Sequence, residues 1–205
     1  MADRSPDVAS PTSDPIRGED WYARELTGEQ FTATTFVDVD LTEVVNAGSV
    51  FADCTFRGVR FNVSTHTDAA FLNCRFAACN FFDATFERVK LVGSTFHHCS
   101  FDLLKVDGGD WSLVGLPGAD LRRATFSQVR MREVDLTGAR CAGAIIRDAD
   151  LAGAWLDKAD FTGCDLRGSD LSALDPSMTS VNRAVITLAQ AVTIASALGL
   201  DVRSE

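Results

Sequence analysis

ADLRR ATFSQ VRMRE VDLTG ARCAG AIIRD ADLAG AWLDK ADFTG CDLRG, residues 119–168, divides into groups of five, nearly all with a bulky apolar middle residue. The middles are Leu121, Phe126, Met131, Leu136, Cys141, Ile146, Leu151, Leu156, Phe161 and Leu166. Worked outward in both directions, the count runs without a slip from Leu26 to Leu171. Of the centres on this comb only Asn46 and His66 are strongly polar. Thirteen of the fourteen phenylalanines fall on it, leaving Phe82 as the stray, so the period belongs to the fold and not to chance composition.

Two positions before each centre the residue is small, as in Val39, Cys54, Ser64, Cys74, Cys79, Ala84, Cys164 and Ser169; two positions after it glycine is favoured, as in Gly58, Gly93, Gly138 and Gly163. A period of five is neither the 3.6 of a helix nor the 2 of a plain strand. It fits a composite in which residues i−2 and i point inward from a short extended segment, while the next residues turn a corner that tolerates positive φ. Identical corners wind the chain into a solenoid, with Phe and Leu stacked along its axis and successive turns joined by backbone hydrogen bonds.

Units such as Ala119-Asp120-Leu121-Arg122-Arg123, Ala149-Asp150-Leu151-Ala152-Gly153 and Ala159-Asp160-Phe161-Thr162-Gly163 resemble the pentapeptide-repeat family. That resemblance implies an all-β solenoid, a right-handed quadrilateral parallel β-helix with four quintets per coil. The comb would then make about seven and a half coils and a rod about 36 Å long. Three segments are expected: a disordered or loosely docked tail over residues 1–20, the β-helix over 21–175, and a helical segment over 176–205. Trp21, in phase, is expected with Tyr22 to cover the first coil, and the phase is expected to end at Asp175-Pro176.

Thr187 followed by Gln190 reads as a capping box, Leu188–Leu198 as a short helix and Gly199 as its stop. At about 16 Å the helix is too short to stand alone. Ile186, Leu188, Ala191, Val192, Ala195 and Leu198 give it a broad apolar arc that must be buried against the last coil or another subunit. This ending resembles that of the gyrase-interacting pentapeptide-repeat proteins of the MfpA and Qnr type, MfpA above all, and the resemblance implies a homodimer joined end to end through these residues.

The chain carries net charge −10, with 29 acidic against 19 basic residues, which argues against direct nucleic-acid binding. No apolar run is long enough for a membrane span, and Met1–Ile16 lacks the layout of a signal peptide, so a cytoplasmic location is expected. The six cysteines follow the repeat and read as buried thiols, with Cys54 over Cys74 and Cys79 over Cys99 close enough for a disulfide to be conceivable. His97 and His98 lie off the comb and Cys99 on its inward slot, so they do not converge on a metal. Asn46 and His66, twenty residues apart, are expected to be vertical neighbours, hydrogen-bonded to each other or set in a local bulge. Gly108-Gly109, Gly115 and Pro117 suggest a kink. No catalytic, cofactor-binding or metal-binding residues emerge.

What remains is the outer surface. The resemblance implies a DNA mimic that binds DNA gyrase or topoisomerase IV, modulates its activity and confers resistance to quinolones or another gyrase-targeting toxin. The loops that some Qnr relatives carry for drug protection are missing, as in MfpA. From Leu26 to Asp175 there are 21 acidic and 14 basic residues; duplex DNA of that length carries about 21 charges, so mimicry requires clustering. The face through Phe31, Phe51 and Leu151 offers the column Asp110, Asp150 and Asp170, flanked by Asp53, as the candidate partner contact. Aspartates before a centre (Asp120, Asp135, Asp150, Asp160, Asp165, Asp170) have a competing role, holding the corner through side-chain to backbone hydrogen bonds. The alternative function is a scaffold for an unrelated protein client.

Overall fold

A computed structural model describes residues 14–203. Fifteen short strands, none longer than three residues, are followed by one helix, Leu188–Ala197. Every strand pairing is parallel with partners twenty residues apart, such as Phe36↔Phe56, Leu26↔Asn46, Phe31↔Phe51 and Asp40↔Arg60. Twenty residues therefore make one coil and five make one side.

We number the four faces by their centres: face one through Ile16, Phe36, Phe56, Phe76 and Phe96; face two through Trp21, Leu41, Phe61 and Phe81; face three through Leu26, Asn46, His66 and Phe86; face four through Phe31, Phe51, Phe71 and Leu91. Between coils the amide of one residue donates to the carbonyl nineteen residues on, for example Leu41 N to Arg60 O at 2.7 Å and Phe61 N to Asn80 O at 2.7 Å.

Burial follows the comb. Centres and the small residues two before them are buried, and the three residues between are half-buried or exposed. On face one the rings of Phe36, Phe56, Phe76 and Phe96 stack with centroids 4.6–4.8 Å apart and planes within 7°. Rings on neighbouring faces meet edge to face, as Phe51 and Phe56 do at 5.7 Å and 62°. Each buried Phe removes roughly 1.5–3 kcal/mol worth of apolar surface from water, which supplies the driving force that three-residue strands lack.

The corner position two after the centre has positive φ with or without glycine: Asp38, Glu43, Asp53, Val63, Asn73, Asp148 and Lys158 sit there with φ of 52–60°. Ladder bonding and core stacking impose the left-handed turn, and glycine only lowers its cost. Gly109 is the exception that needs to be glycine, because a Cβ would lie 2.2 Å from Val89 O. The ladder runs through the expected kink uninterrupted, with Gly108 N donating to Ser127 O and Arg130 N to Gly109 O.

Both expected limits of the rod move outward. Residues 1–13 of the expected tail lie outside the described residues, but Ile16–Arg17 already pairs with Phe36–Val37. Trp21 is a core residue of this first coil, while Tyr22 is 54% exposed and covers nothing, its hydroxyl donating to Glu43. At the other end the phase survives Pro176: Thr179 is buried, Val181 and Ile186 are half-buried against the core, and Asp160↔Ser180 and Asp165↔Val185 are bridged. Proline fits because this centre donates no hydrogen bond to a further coil.

All six cysteines are free, and all but Cys99 are buried. Cys54, Cys74, Cys79 and Cys99, four of the five in the small slot, place Sγ on backbone carbonyls, as Cys74 does at Phe51 O, 3.3 Å away. The stacked partner thiol and burial push Cys74 and Cys79 up, and burial pushes Cys141 up, so these are packing groups and not nucleophiles.

Candidate protein-binding surface

Asp110, Asp150 and Asp170 stand in one outward column of face four, but cations interleave them. The column runs Lys90, Asp110, Arg130, Asp150 through successive bridges. Asp110 pairs with Arg130 at 3.4 Å, and Asp150 accepts from Arg132 Nε at 2.6 Å. Each also holds its own corner: Asp110 Oδ1 accepts from Ser112 N at 3.0 Å, Asp150 Oδ1 from Ala152 N at 3.3 Å and Asp170 Oδ1 from Ser172 N at 2.8 Å. Asp53 is away from the column, at an exposed corner with φ 54°, and among the described residues its side chain makes no hydrogen bond or ion pair.

The corner role is general. Asp120, Asp135, Asp160 and Asp165 accept from the backbone two residues on, as do Asp20, Asp40, Asn80 and Asp175. Arginines then claim the second oxygen. The Arg60 guanidinium holds the Asp40 carboxyl down at about 2 against the opposing effect of burial, and Arg122 and Arg167 lower Asp120 and Asp165 in the same way. Faces two and four thus carry self-neutralising charge ladders, each pair worth about 0–1 kcal/mol at such exposure.

Carboxylates that the fold does not use lie elsewhere. On face three Glu87 is directly paired in register with Asp107, one coil step of about 4.8 Å away, and neither has a side-chain partner among the described residues. Two like charges so placed repel each other, and nothing in the packing requires them. The sequence reading missed this pair because it compared whole faces; stacking each position with the residue twenty further on reveals it.

At the C-terminal end, Thr187 and Gln190 form the expected capping box, Leu198 is the C-cap and Gly199 follows at φ 80°. Gln190 is buried, and its Nε2 donates to Leu166 O and Ser169 O, both at 2.7 Å, which satisfies carbonyls that have no further coil to bond. Ile194, Ile186 and Ala184 pack onto Leu166, Leu171, Leu174 and Val181 around a residual cavity of about 60 Å³. Ile186, Ala191 and Ala195 are half-buried. Leu188 is 87% exposed, and Val192, Leu198, Leu200 and Val202 also face outward. The helix therefore closes the rod with one side and leaves an apolar side uncovered.

Among the described residues there is no grouping of His, Cys, Asp or Glu that would hold a metal ion. Nor, among them, is any helix long and apolar enough to cross a membrane.

Residues 116–151 and 144–175 match the family described as Pentapeptide repeats, in eight copies. No curated protein matches the chain. Solved structures with a similar rod include a trypsin-treated variant of QnrB1, a plasmid-mediated fluoroquinolone resistance protein, at 22% identity and TM-score 0.46, covering 94% of this chain and 100% of that one. They include HetL, a pentapeptide repeat protein involved in heterocyst differentiation regulation from the cyanobacterium Nostoc, at 18% identity and TM-score 0.35, covering 82% and 87%. A thylakoid-lumen pentapeptide repeat protein of Arabidopsis thaliana is similar at 19% identity and TM-score 0.23, covering 85% and 77%. Residues 116–175 thus carry pentapeptide repeats, and the same twenty-residue coil runs back from them to Ile16.

Proposed function

We propose that this rod is a cytoplasmic, DNA-mimicking ligand of a type II topoisomerase, DNA gyrase or topoisomerase IV, that modulates the enzyme and gives resistance to quinolones or another gyrase-targeting toxin. The observation that carries the proposal is an acidic rod, net −10, with no loop inserted between coils and with carboxylates left over after the corners and ion pairs are satisfied. The resemblance of the repeats and of the C-terminal segment to MfpA and Qnr proteins supports the choice of partner.

Within this proposal the contacting carboxylates are among those the fold leaves unused, Asp53, Glu87 and Asp107, together with the exposed Asp170; Asp110 and Asp150, whose oxygens are taken at the corner and by Arg130 and Arg132, stand behind them. The active species is a homodimer joined through Leu188, Val192 and Leu198, with Ile186, Ala191 and Ala195 supporting the helix from behind. A core filled by Phe and Leu leaves the outside of the rod to do the work, so the protein acts as a surface and not as an enzyme.

A supercoiling assay with purified gyrase, with and without a quinolone, tests this. Inhibition of supercoiling or protection from drug-stabilised cleavage at stoichiometric amounts is expected. No effect at several-fold molar excess, together with recovery of an unrelated client from cell extract, would favour the scaffold function.

A further inference from the structure

Most guanidinium groups among the described residues are answered by a carboxylate, and four of them by the one twenty residues away: Arg60 by Asp40, Arg88 by Asp68, Arg130 by Asp110 and Arg140 by Asp120. Register decides this, because residues twenty apart stand side by side. On face one the register gives no such answer. The neighbours of Arg57 in its column are Val37 and Ala77, those of Arg75 are Thr55 and Thr95, and His97 stands next to Ala77. Among the described residues Arg57 and Arg75 make no ion pair, and the carboxylate on the corner beside Arg57, that of Asp38, lies over Gly58 without pairing with it.

These side chains surround a bay of about 380 Å³. Its floor is Ala77 and Phe76, with Arg57 on one side, His97 on the other, Arg75 across the strand, and Thr55 and Thr95 completing the rim. Arg57 and His97 are separated by two coil steps, roughly 10 Å between Cα atoms, and Arg75 and Ala77 by roughly 6.7 Å along the strand. Alanine at position 77 opens the middle; any long side chain there would fill it. The outcome is two arginines, a histidine and two threonines lining one space with room for a small oxyanion, on a chain that is otherwise strongly acidic.

We propose that Arg57, Arg75 and His97 form a binding site for a phosphate group, either inorganic phosphate or the terminal phosphate of a nucleotide. A carboxylate is satisfied by one guanidinium fork, whereas donors arriving from three directions match the tetrahedral oxygens of a phosphate. Thr55 and Thr95 hydroxyls supply further donors at the rim. The site lies on face one, apart from the acidic pair on face three, so it stands whether or not a topoisomerase is the partner.

The test uses the full chain, ¹⁵N-labelled, at constant ionic strength set with potassium chloride. Inorganic phosphate and a nucleoside triphosphate are titrated separately while the Ala77 and Thr95 amides are followed by NMR. Saturable shifts at these amides are expected with at least one of the two, and which of them saturates first identifies the source. Arg75→Gln should weaken the binding about tenfold. Arg183→Gln, which removes a guanidinium without an ion pair elsewhere on the rod, should leave it unchanged. Arg75 and Arg183 are both exposed, so neither variant threatens folding. Shifts that never saturate, that chloride reproduces, or that Arg75→Gln leaves intact would overturn the assignment. So would a glutamate-rich peptide that saturates these amides at lower concentration than either phosphate.

Discussion

Asn46 and His66 lie one above the other inside the rod, with Asn46 Nδ2 3.1 Å from His66 Nδ1. His66 Nε2 is 3.0 Å from Ser64 Oγ, which itself donates to Phe61 O at 2.7 Å. Ser64 must therefore accept from Nε2–H, which leaves Nδ1 to accept from the Asn46 amide and keeps the ring neutral. Burial pushes the His66 pKa down to about 3. An unfolded imidazole titrates near 6.5, so below that pH the unfolded chain binds a proton that the native chain refuses until about pH 3. Stability should fall with pH across that window, by up to about 1.4 kcal/mol per unit. Urea midpoints at pH 6.5 and 4.8, above the range where most carboxylates protonate, measure it. Asn46→Leu with His66→Phe, which extends the stack onto Phe86, should flatten the slope and raise the midpoint at both pH values. An unchanged slope in the double variant would place the pH dependence elsewhere.

Carboxylates that hold corners and carboxylates that do not should separate cleanly. Asp160 accepts from Thr162 N at 3.0 Å, and Asp160→Ala should cost about 1 kcal/mol in chemical denaturation. Glu87→Gln with Asp107→Asn removes two repelling charges and no hydrogen bond, and should leave stability within about 0.5 kcal/mol of the parent. The same double variant should weaken the proposed effect on supercoiling, whereas Asp160→Ala should not.

The comb made the inward half of this structure legible, because burial imposes one apolar residue per side and tolerates few exceptions. Asn46 beneath His66, the thiols in the small slot and the Thr187–Gln190 box all followed from counting. The outward half was less legible. Whether an aspartate is free depends on the residue twenty positions away, and setting Asp110, Asp150 and Asp170 against Lys90, Arg130 and Arg132 as a count over the whole face does not show which of them pair. Ser64 was missed as the third member of the buried network because serine is an ordinary occupant of the small slot. The ends were placed too far inward because Ile16, Pro176, Val181 and Ile186 keep the phase but lie among residues that look like tail or linker.

Val63 is a β-branched residue at φ 57°, a conformation that suits glycine and asparagine far better. It is 44% exposed, so it contributes little burial in return. Val63→Asn should stabilise the rod by about 1 kcal/mol, read as a rise in urea midpoint with unchanged m-value. A decrease would mean that the exposed methyl groups contribute more than the backbone strain removes.

Gln190 and Leu188 sit two residues apart on the same short helix and do opposite jobs. Gln190 binds the helix to its own rod through Leu166 O and Ser169 O, whereas Leu188 has almost no contact to lose within one chain. Gln190→Leu should leave Ser169 O without a partner and Leu166 O with the Ser169 amide alone, and lower stability by about 2 kcal/mol. Leu188→Glu with Val192→Glu should leave the monomer's folding intact and act only on association. Light scattering should then give half the parent mass, while circular dichroism of the β-helix stays the same. If the mass of the parent is already that of one chain, the apolar side of the helix is not a dimer contact. If the charged variant keeps the larger mass, the two rods join through some other surface and the helix serves as a lid alone.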